Sequence, residues 1–473
     1  MNEPLNDIQE KIAEDLTTLG VIKGLEAVAN LGFAKPSKDG SPDNKRLTQK
    51  IDEYLEKLDR DINAQLDAIL HHEKFQALES AWRSLKTLVD RTDFQQIKLE
   101  FVQVTKDELR EHLVWADSID ETIWYKWIYK RGLGQFGGDI VGTVIGNFFF
   151  DNTEQDIALL KKLAHVGAIA HAPFIGAVSP QFFGWNSWYK LPDYCKLLPI
   201  RLQDDQYTSW KSFRKEENAR YVALTLPRVL LRSPYDPKQN QAGENFEQYK
   251  ESHSSHDDYL WGNAAFALAG CMATSFARYG WLAEIIGPRG GGIVSDLPVH
   301  IYESAAGKKT KIPTEVLIPF HEENVLSEEG FIALTMREHS DEAVFFSDST
   351  VLKPRKFEDK AIQANYMLST KLTYMSLINR VSHYLKWEQI ENLGKSLSAG
   401  DLQNLLLETV KQWVYDGVQA DYKIKKPFKK IDVEVKDKEG HPGWYEVTVK
   451  ATPHIKYLGA DFTLTLTAPI GKD

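Results

Sequence analysis

His71-His72-Glu73 places two imidazoles beside a carboxylate, the residue types that bind transition metals. Neighbouring residues on a helix point about 100° apart, so the two rings do not share a metal-facing side. A polar helix end is the expected role. Gly307-Lys308-Lys309-Thr310 has the ending of a phosphate loop, but Tyr302 stands where that loop needs its first glycine. Gly287-Pro288-Arg289-Gly290-Gly291-Gly292 could turn backbone amides toward an anion. It follows helical rather than strand periodicity, so a helix stop with a loop is expected and anion binding is the alternative. Asp204-Asp205, Asp257-Asp258, Glu322-Glu323 and Glu328-Glu329 read as solvated turns or helix starts. Gly-x-Ser-x-Gly and His-Glu-x-x-His are both missing, and Cys195 and Cys271 form no Cys-x-x-Cys pair. No catalytic, cofactor-binding or metal-binding residue is assigned, and no enzyme is expected.

A second constellation is dense in arginine and aromatic rings. Trp210, Phe213 and Arg214 are followed by Arg220, Tyr221, Arg228, Arg232 and Tyr235. Such residues stack on nucleic acid or sugar, or they build protein interfaces and buried ion pairs. The 57 basic and 67 acidic residues leave a net charge of -10. That balance argues against a nucleic-acid partner, whose phosphates need a basic face.

The elements that would hold these residues come from a chain of 473 residues, 42% of them hydrophobic. That is long enough for two or three folded domains. Two cysteines make no disulfide framework, and the first residues carry no basic, apolar leader, so a cytoplasmic location is expected. Tyr259 to Ala277 has no charge and is as long as a bilayer span. Its Ala and Gly content, with Asp257, Asp258 and Arg278 at its ends, predicts a buried core helix and no membrane insertion.

Three regions follow. Residues 1–46 read as an amphipathic arm followed by a Pro- and Gly-rich linker, Ala34 to Lys45. Residues 47–420 read as a mixed α/β body of two subdomains. Leu47, Ile51, Leu55, Leu58, Ile62, Leu66 and Ile69 predict one long helix, and Phe75, Leu78, Trp82, Leu85 and Val89 a second. Ile97, Leu99 and Phe101 alternate as in a strand. Further expectations are helices over Leu159–Ala170, Gly262–Ile286, Ala361–Glu391 and Asp401–Tyr415, the last capped by Asp401, and a strand over Val222–Leu226.

Residues 421–473 open with Lys423, Lys425, Lys426, Lys429 and Lys430, then alternate with a period of two. Ile431, Val433 and Val435, then Tyr445, Val447 and Val449, then Phe462, Leu464 and Leu466, predict three antiparallel strands. A meander this small cannot stand alone. It completes the chain's own sheet, or its edges pair with a neighbouring subunit.

The order of landmarks carries a resemblance. Ile69 to Leu85, including Trp82 and Arg83, comes first, followed by Gly137-Gly138, Gly146-Asn-Phe-Phe-Phe150 and Ala170-His-Ala-Pro-Phe174. Next come Trp210 to Arg214, Leu226-Pro-Arg228, Arg232-Ser-Pro-Tyr235, Leu260-Trp-Gly-Asn-Ala264, Gly280-Trp281, Gly291-Gly292, Leu297-Pro298, Pro313-Thr-Glu315, Gly330-Phe331, and Arg380 with His383-Tyr384-Leu385. Pro442-Gly443 and Pro453-His454 end the series. This colinear set, from about Leu47 to the end, resembles the large sheath subunit of bacterial type VI secretion systems (the TssC or VipB family).

The resemblance implies a contractile tail-sheath-like fold whose C-terminal strands are shared between protomers. It implies a small sheath subunit as partner, and heterodimers stacked in a six-fold helical sheath around an inner tube. It also implies a baseplate below and, indirectly, an AAA+ ATPase that disassembles the contracted sheath. A sheath of a phage-tail-like particle is the near alternative. A soluble α/β enzyme with an anion-binding glycine loop is the distant one.

Overall fold

The computed structural model describes residues 42–471 except 136, 239, 241–248, 305–306, 338–339, 392–397, 438–443 and 455–463. Two units are separable, one ending at Asp67 and one running from Ala68. Helix α1 (Pro42–Leu70) starts within the expected linker. Proline suits a first turn, where its missing N–H would have no partner anyway. Of the expected arm, only its last residues, from Pro42, lie within the described chain.

In the larger unit, His72 caps α2 (Glu73–Asp90) by accepting from the Lys74 amide. Helix α3 (Lys106–Val114) opens on a capping box between Thr105 and Glu108. The alternating Ile97, Leu99 and Phe101 between them form no strand. The amides of Gln96 and Ile97 turn back onto the Asp93 carbonyl instead, and among the described residues they pair with no strand.

Strand β1 (Val144–Phe150), helix α4 (Glu154–Ala170) and strand β2 (Phe174–Val178) make the first crossover unit. Helix α5 (Thr208–Phe213) leads to β3 (Val222–Leu226), which stops before Pro227 as expected. Strands β4 (Val229–Leu230) and β5 (Trp261–Gly262) pair in a small ladder. Helix α6 (Ala264–Tyr279) is capped by Asn263 and ends at Gly280, whose φ of 73° is left-handed. It is therefore shorter than the expected Gly262–Ile286. Strand β6 (Ile293–Val294) and the hairpin β7 (His300–Ser304) and β8 (Gly307–Lys311) follow. Then come α7 (Phe320–Glu328), β9 (Ile332–Met336) and β10 (Ala343–Phe345).

The main sheet has the order β1-β2-β3-β9-β10-β6. Its first four strands are parallel, and β10 runs antiparallel to both its neighbours. Parallel strands need cover on both faces, and alternating side chains enter two cores. Phe174, Val222 and Leu224 join Ile157, Leu160 and Leu163 of α4 on one side. Ile175, Ala223 and Ile332 join Ala265, Leu268 and Met272 of α6 on the other. The uncharged segment from Tyr259 is thus a core helix, and no helix among the described residues is long and apolar enough to cross a membrane.

The expected single helix over Ala361–Glu391 is two, α8 (Lys360–Leu368) and α9 (Leu372–Glu391). Between them Thr370 accepts from the Thr350 amide and Leu372 donates to Asp348, so the backbone leaves the helix to tie onto the body. Helix α10 (Ala399–Lys411) is capped by Ser398 rather than Asp401. Asp401 sits at the third helical position and completes a capping box. After α11 (Ala420–Lys425) come β11 (Phe428–Asp437), β12 (Trp444–Pro453) and β13 (Leu464–Gly471), an antiparallel meander in that order.

Candidate assembly surfaces

Among the described residues no group of three or more His, Cys, Asp or Glu could hold a metal ion. The glycine loop is a packed corner. Gly287 donates to Phe345 at 2.7 Å, Phe345 donates back to Gly292 at 3.0 Å, and Gly290 and Gly292 donate to Gly287. A Cβ on Gly292 would lie 2.6 Å from the Phe345 oxygen. Those amides face the chain itself, so the loop is not an open anion cradle.

The arginine-rich landmarks form internal ion pairs. Arg232 donates from Nη1 to Glu251 at 2.6 Å and from Nε to Glu79 at 2.9 Å, with Tyr235 under its guanidinium at 4.3 Å. Arg83 donates to Glu79 at 2.7 Å and to the Tyr235 hydroxyl at 3.0 Å, and His71 reaches Glu251 at 3.1 Å. This buried knot fastens α2 to the loop after β4. Burial works against the charges of Arg232 and Glu79. The mutual hydrogen bonds outweigh it, so the Arg232 pKa is raised and the Glu79 pKa lowered.

Arg228 and His256 hold Glu315. Arg214, buried, donates to Val351 and Glu328 carbonyls and to the Glu329 carboxylate. Burial lowers its pKa although Glu329 opposes this. Sequence reading singled out these arginines but did not pair them with their acids. Glu79 and Glu315 stood in landmarks and Glu329 in an acidic pair, but only Glu79 and Arg83, four residues apart, lie close enough along the chain for spacing to pair them.

Trp210 and Phe213 are core. Trp210 stacks on Phe331 with centroids 5.7 Å apart and meets Phe182 edge-on at 4.9 Å. Trp82, expected among the packing landmarks, is 60% exposed. It lies on the outward face of α2 with Phe75, Leu78 and Val89, all exposed, and its ring centroid is 6.2 Å from that of Phe101. The inward face of α2 is taken by Ser84 and Leu88. The apolar spacing located the stripe correctly, but it does not say whether this chain or another covers it.

The C-terminal positions divide by element. Ile431, Val433 and Val435 of β11 and Val447 and Val449 of β12 are buried in a core with Leu377, Val381 and Leu385 of α9 and Leu402, Leu406 and Val410 of α10. Val433 faces Val449 and Val435 faces Val447 across the ladder. Tyr445 packs at the rim of that core. Leu464 and Leu466 lie on β13, opposite Ala451 and Val449. Phe462 lies outside the described residues. The meander therefore packs on its own chain, and β11 and β13 are its two edges.

Two family models match the sequence. Residues 52–352 match the VipB family, EvpB/VC_A0108 tail sheath N-terminal domain. Residues 361–470 match the companion tail sheath gpW/gp25-like domain. The type VI secretion system sheath protein TssC1 of Pseudomonas aeruginosa is 33% identical over 430 residues, covering 89% of this chain and 86% of the relative. The contracted helical sheath of the anti-feeding prophage, solved by cryo-EM, aligns over 83% of this chain and 79% of that one, at 13% identity and a TM-score of 0.32.

Proposed function

The chain belongs to the VipB tail-sheath family, as a large sheath subunit of a type VI secretion system, and on that premise we propose how it assembles. It pairs with a small sheath subunit. The heterodimers stack into a six-fold helical sheath around an inner tube on a baseplate, in the cytoplasm, and contraction of that lattice drives protein secretion. Its work is mechanical rather than catalytic. An AAA+ ATPase acts on the contracted assembly, and no ATP site is assigned to this chain.

The observation that carries the pairing is the outward stripe of α2. Phe75, Leu78, Trp82, Leu85 and Val89 recur at alternating spacings of three and four, the seam that an amphipathic helix packs into. Phe75, Leu78, Trp82 and Val89 stand open to solvent, and an open apolar stripe of this kind marks a contact with another molecule. We assign it to a helix of the small subunit. Co-purification tests this. Trp82→Glu leaves the isolated chain folded and removes the small subunit from the purified complex. Retention of the small subunit at wild-type yield contradicts the assignment.

The edges of the meander are the second contact. Among the described residues β13, and β11 beyond Phe428, pair with a strand on one side only, and such edges support linkage to strands of adjacent protomers. Such links depend on backbone bonds more than on side-chain fit, so they survive while packed faces slide.

A further inference from the structure

Val418 is 90% exposed, the most open large apolar side chain among the described residues. It stands in the turn before α11, one helical turn from the exposed Tyr422. Lys423, Lys425, Lys426 and Lys429 follow them closely in sequence, on the same helix and at the start of β11. Lys430 pairs with Asp432, but the other four have no salt bridge among the described residues. Asp416 and Asp421 are the acids alongside. In a chain of net charge -10, four unpaired cations around an apolar knob suit an acidic surface with an apolar centre.

The chain carries such a surface. Helix α3 and the turn after it line a cavity of about 310 Å³, whose walls include Glu111, Asp117 and Glu121 and no lysine or arginine. Trp115, 73% exposed, and Ile123 stand at the same cavity. Its three carboxylates have no salt bridge among the described residues.

We infer that these two surfaces meet between copies of this chain. Val418 and Tyr422 of one copy seat against Trp115 and Ile123 of the next, under the lysines and carboxylates that ring them. Two different complementary patches on one molecule make a heterologous contact, which propagates along a ring or helix instead of closing a dimer. The contact rests on the sheath reading, because it needs neighbours related by a helical step.

The test uses the chain co-purified with its small subunit. K423E/K425E/K426E/K429E and E111K/D117K/E121K are made separately and together, and tubes are pelleted and imaged. Each reversal alone lowers tube yield roughly tenfold or more, because like charges then face each other, while the heterodimer still elutes intact. The combined variant restores the yield. As a measurement that does not disturb charge, A116C/V418C in one chain gives a ladder of cross-linked copies on oxidation of assembled tubes; Cys195 and Cys271 are buried and give no background. Wild-type tube yield from both single reversals overturns the contact, as does a missing ladder in assembled tubes. A wild-type complex that forms no tubes overturns the sheath reading itself.

Discussion

Arg228 and Glu315 meet through two parallel hydrogen bonds, Nε to Oε2 and Nη2 to Oε1, each 2.7 Å long. A third comes from His256 Nε2 at 2.9 Å. Lys311, which can only donate, lies 2.9 Å from the other ring nitrogen, so that nitrogen accepts and Nε2 carries the proton toward Glu315. Burial alone would raise the Glu315 pKa, but the bonds from Arg228 and His256 hold it below the usual carboxylate range. Arg228→Ala strands this buried charge and costs about 3–5 kcal/mol in urea unfolding. Arg228→Lys keeps the charge but not the fork, and costs less. Because the folded pKa is depressed, the contribution is whole at neutral pH. It fades only as pH falls below the ordinary glutamate value and through the folded one.

Trp82 and Trp210 predict opposite phenotypes. Trp210→Ala empties a ring-packed core and costs about 3–5 kcal/mol. Trp82→Ala leaves stability within about 0.5 kcal/mol and weakens capture of the small subunit. Thermal unfolding beside co-purification separates the two effects. Equal destabilisation by both would place Trp82 inside the fold.

His171 and His383 respond to acid. His171 caps α4 in the left-handed region at φ 52°, and His383 Nε2 reaches the Ala170 carbonyl at 2.8 Å. Burial, helped by Lys386, pushes their pKa values down to about 3 and about 4. Below about pH 6.5 the unfolded chain therefore binds protons that the folded chain refuses, and stability falls with pH by up to about 1.4 kcal/mol per unit for each ring. Denaturation midpoints between pH 7 and 4.5 check this. His383→Gln flattens the slope by about half; an unchanged slope places the acid sensitivity elsewhere.

The meander needs a test at its edge. Val433→Pro or Val435→Pro breaks the ladder to Val449 and Val447 and the core beneath it, so either unfolds the region whatever its partners. Truncation before Leu464 removes β13 and leaves those buried side chains in place. Heterodimers then form, and long tubes do not. Normal tubes from the truncated chain would rule out linkage through β13.

Much of this fold was legible in the sequence, for identifiable reasons. Strong periodicity located α1, α2, the helix ending at Ala170, strand β3 and the strands after Lys426. The misses are tertiary. Ile97 to Phe101 alternate, but among the described residues no strand pairs with them. Ser369 to Lys371 interrupt a helical pattern because Thr350 and Asp348 take the backbone groups of Thr370 and Leu372. Ser398 outcompetes Asp401 as a cap by standing three residues earlier. Candidate contacts were harder to read. Spacing placed Trp82 on an apolar stripe and Val433 on another, and only burial separates the first, turned outward, from the second, turned into its own core. The acids that hold Arg214 and Arg232 lie 19 to 153 residues away, beyond the reach of any local motif.

The central claim is that this chain builds a sheath with a small partner. Co-expression of the two, followed by electron microscopy of the purified material across several salt concentrations, tests it most directly. The account predicts long hollow tubes with six-fold symmetry that contain both chains. Monodisperse globular particles at every salt concentration, with the small subunit present and folded, would contradict it.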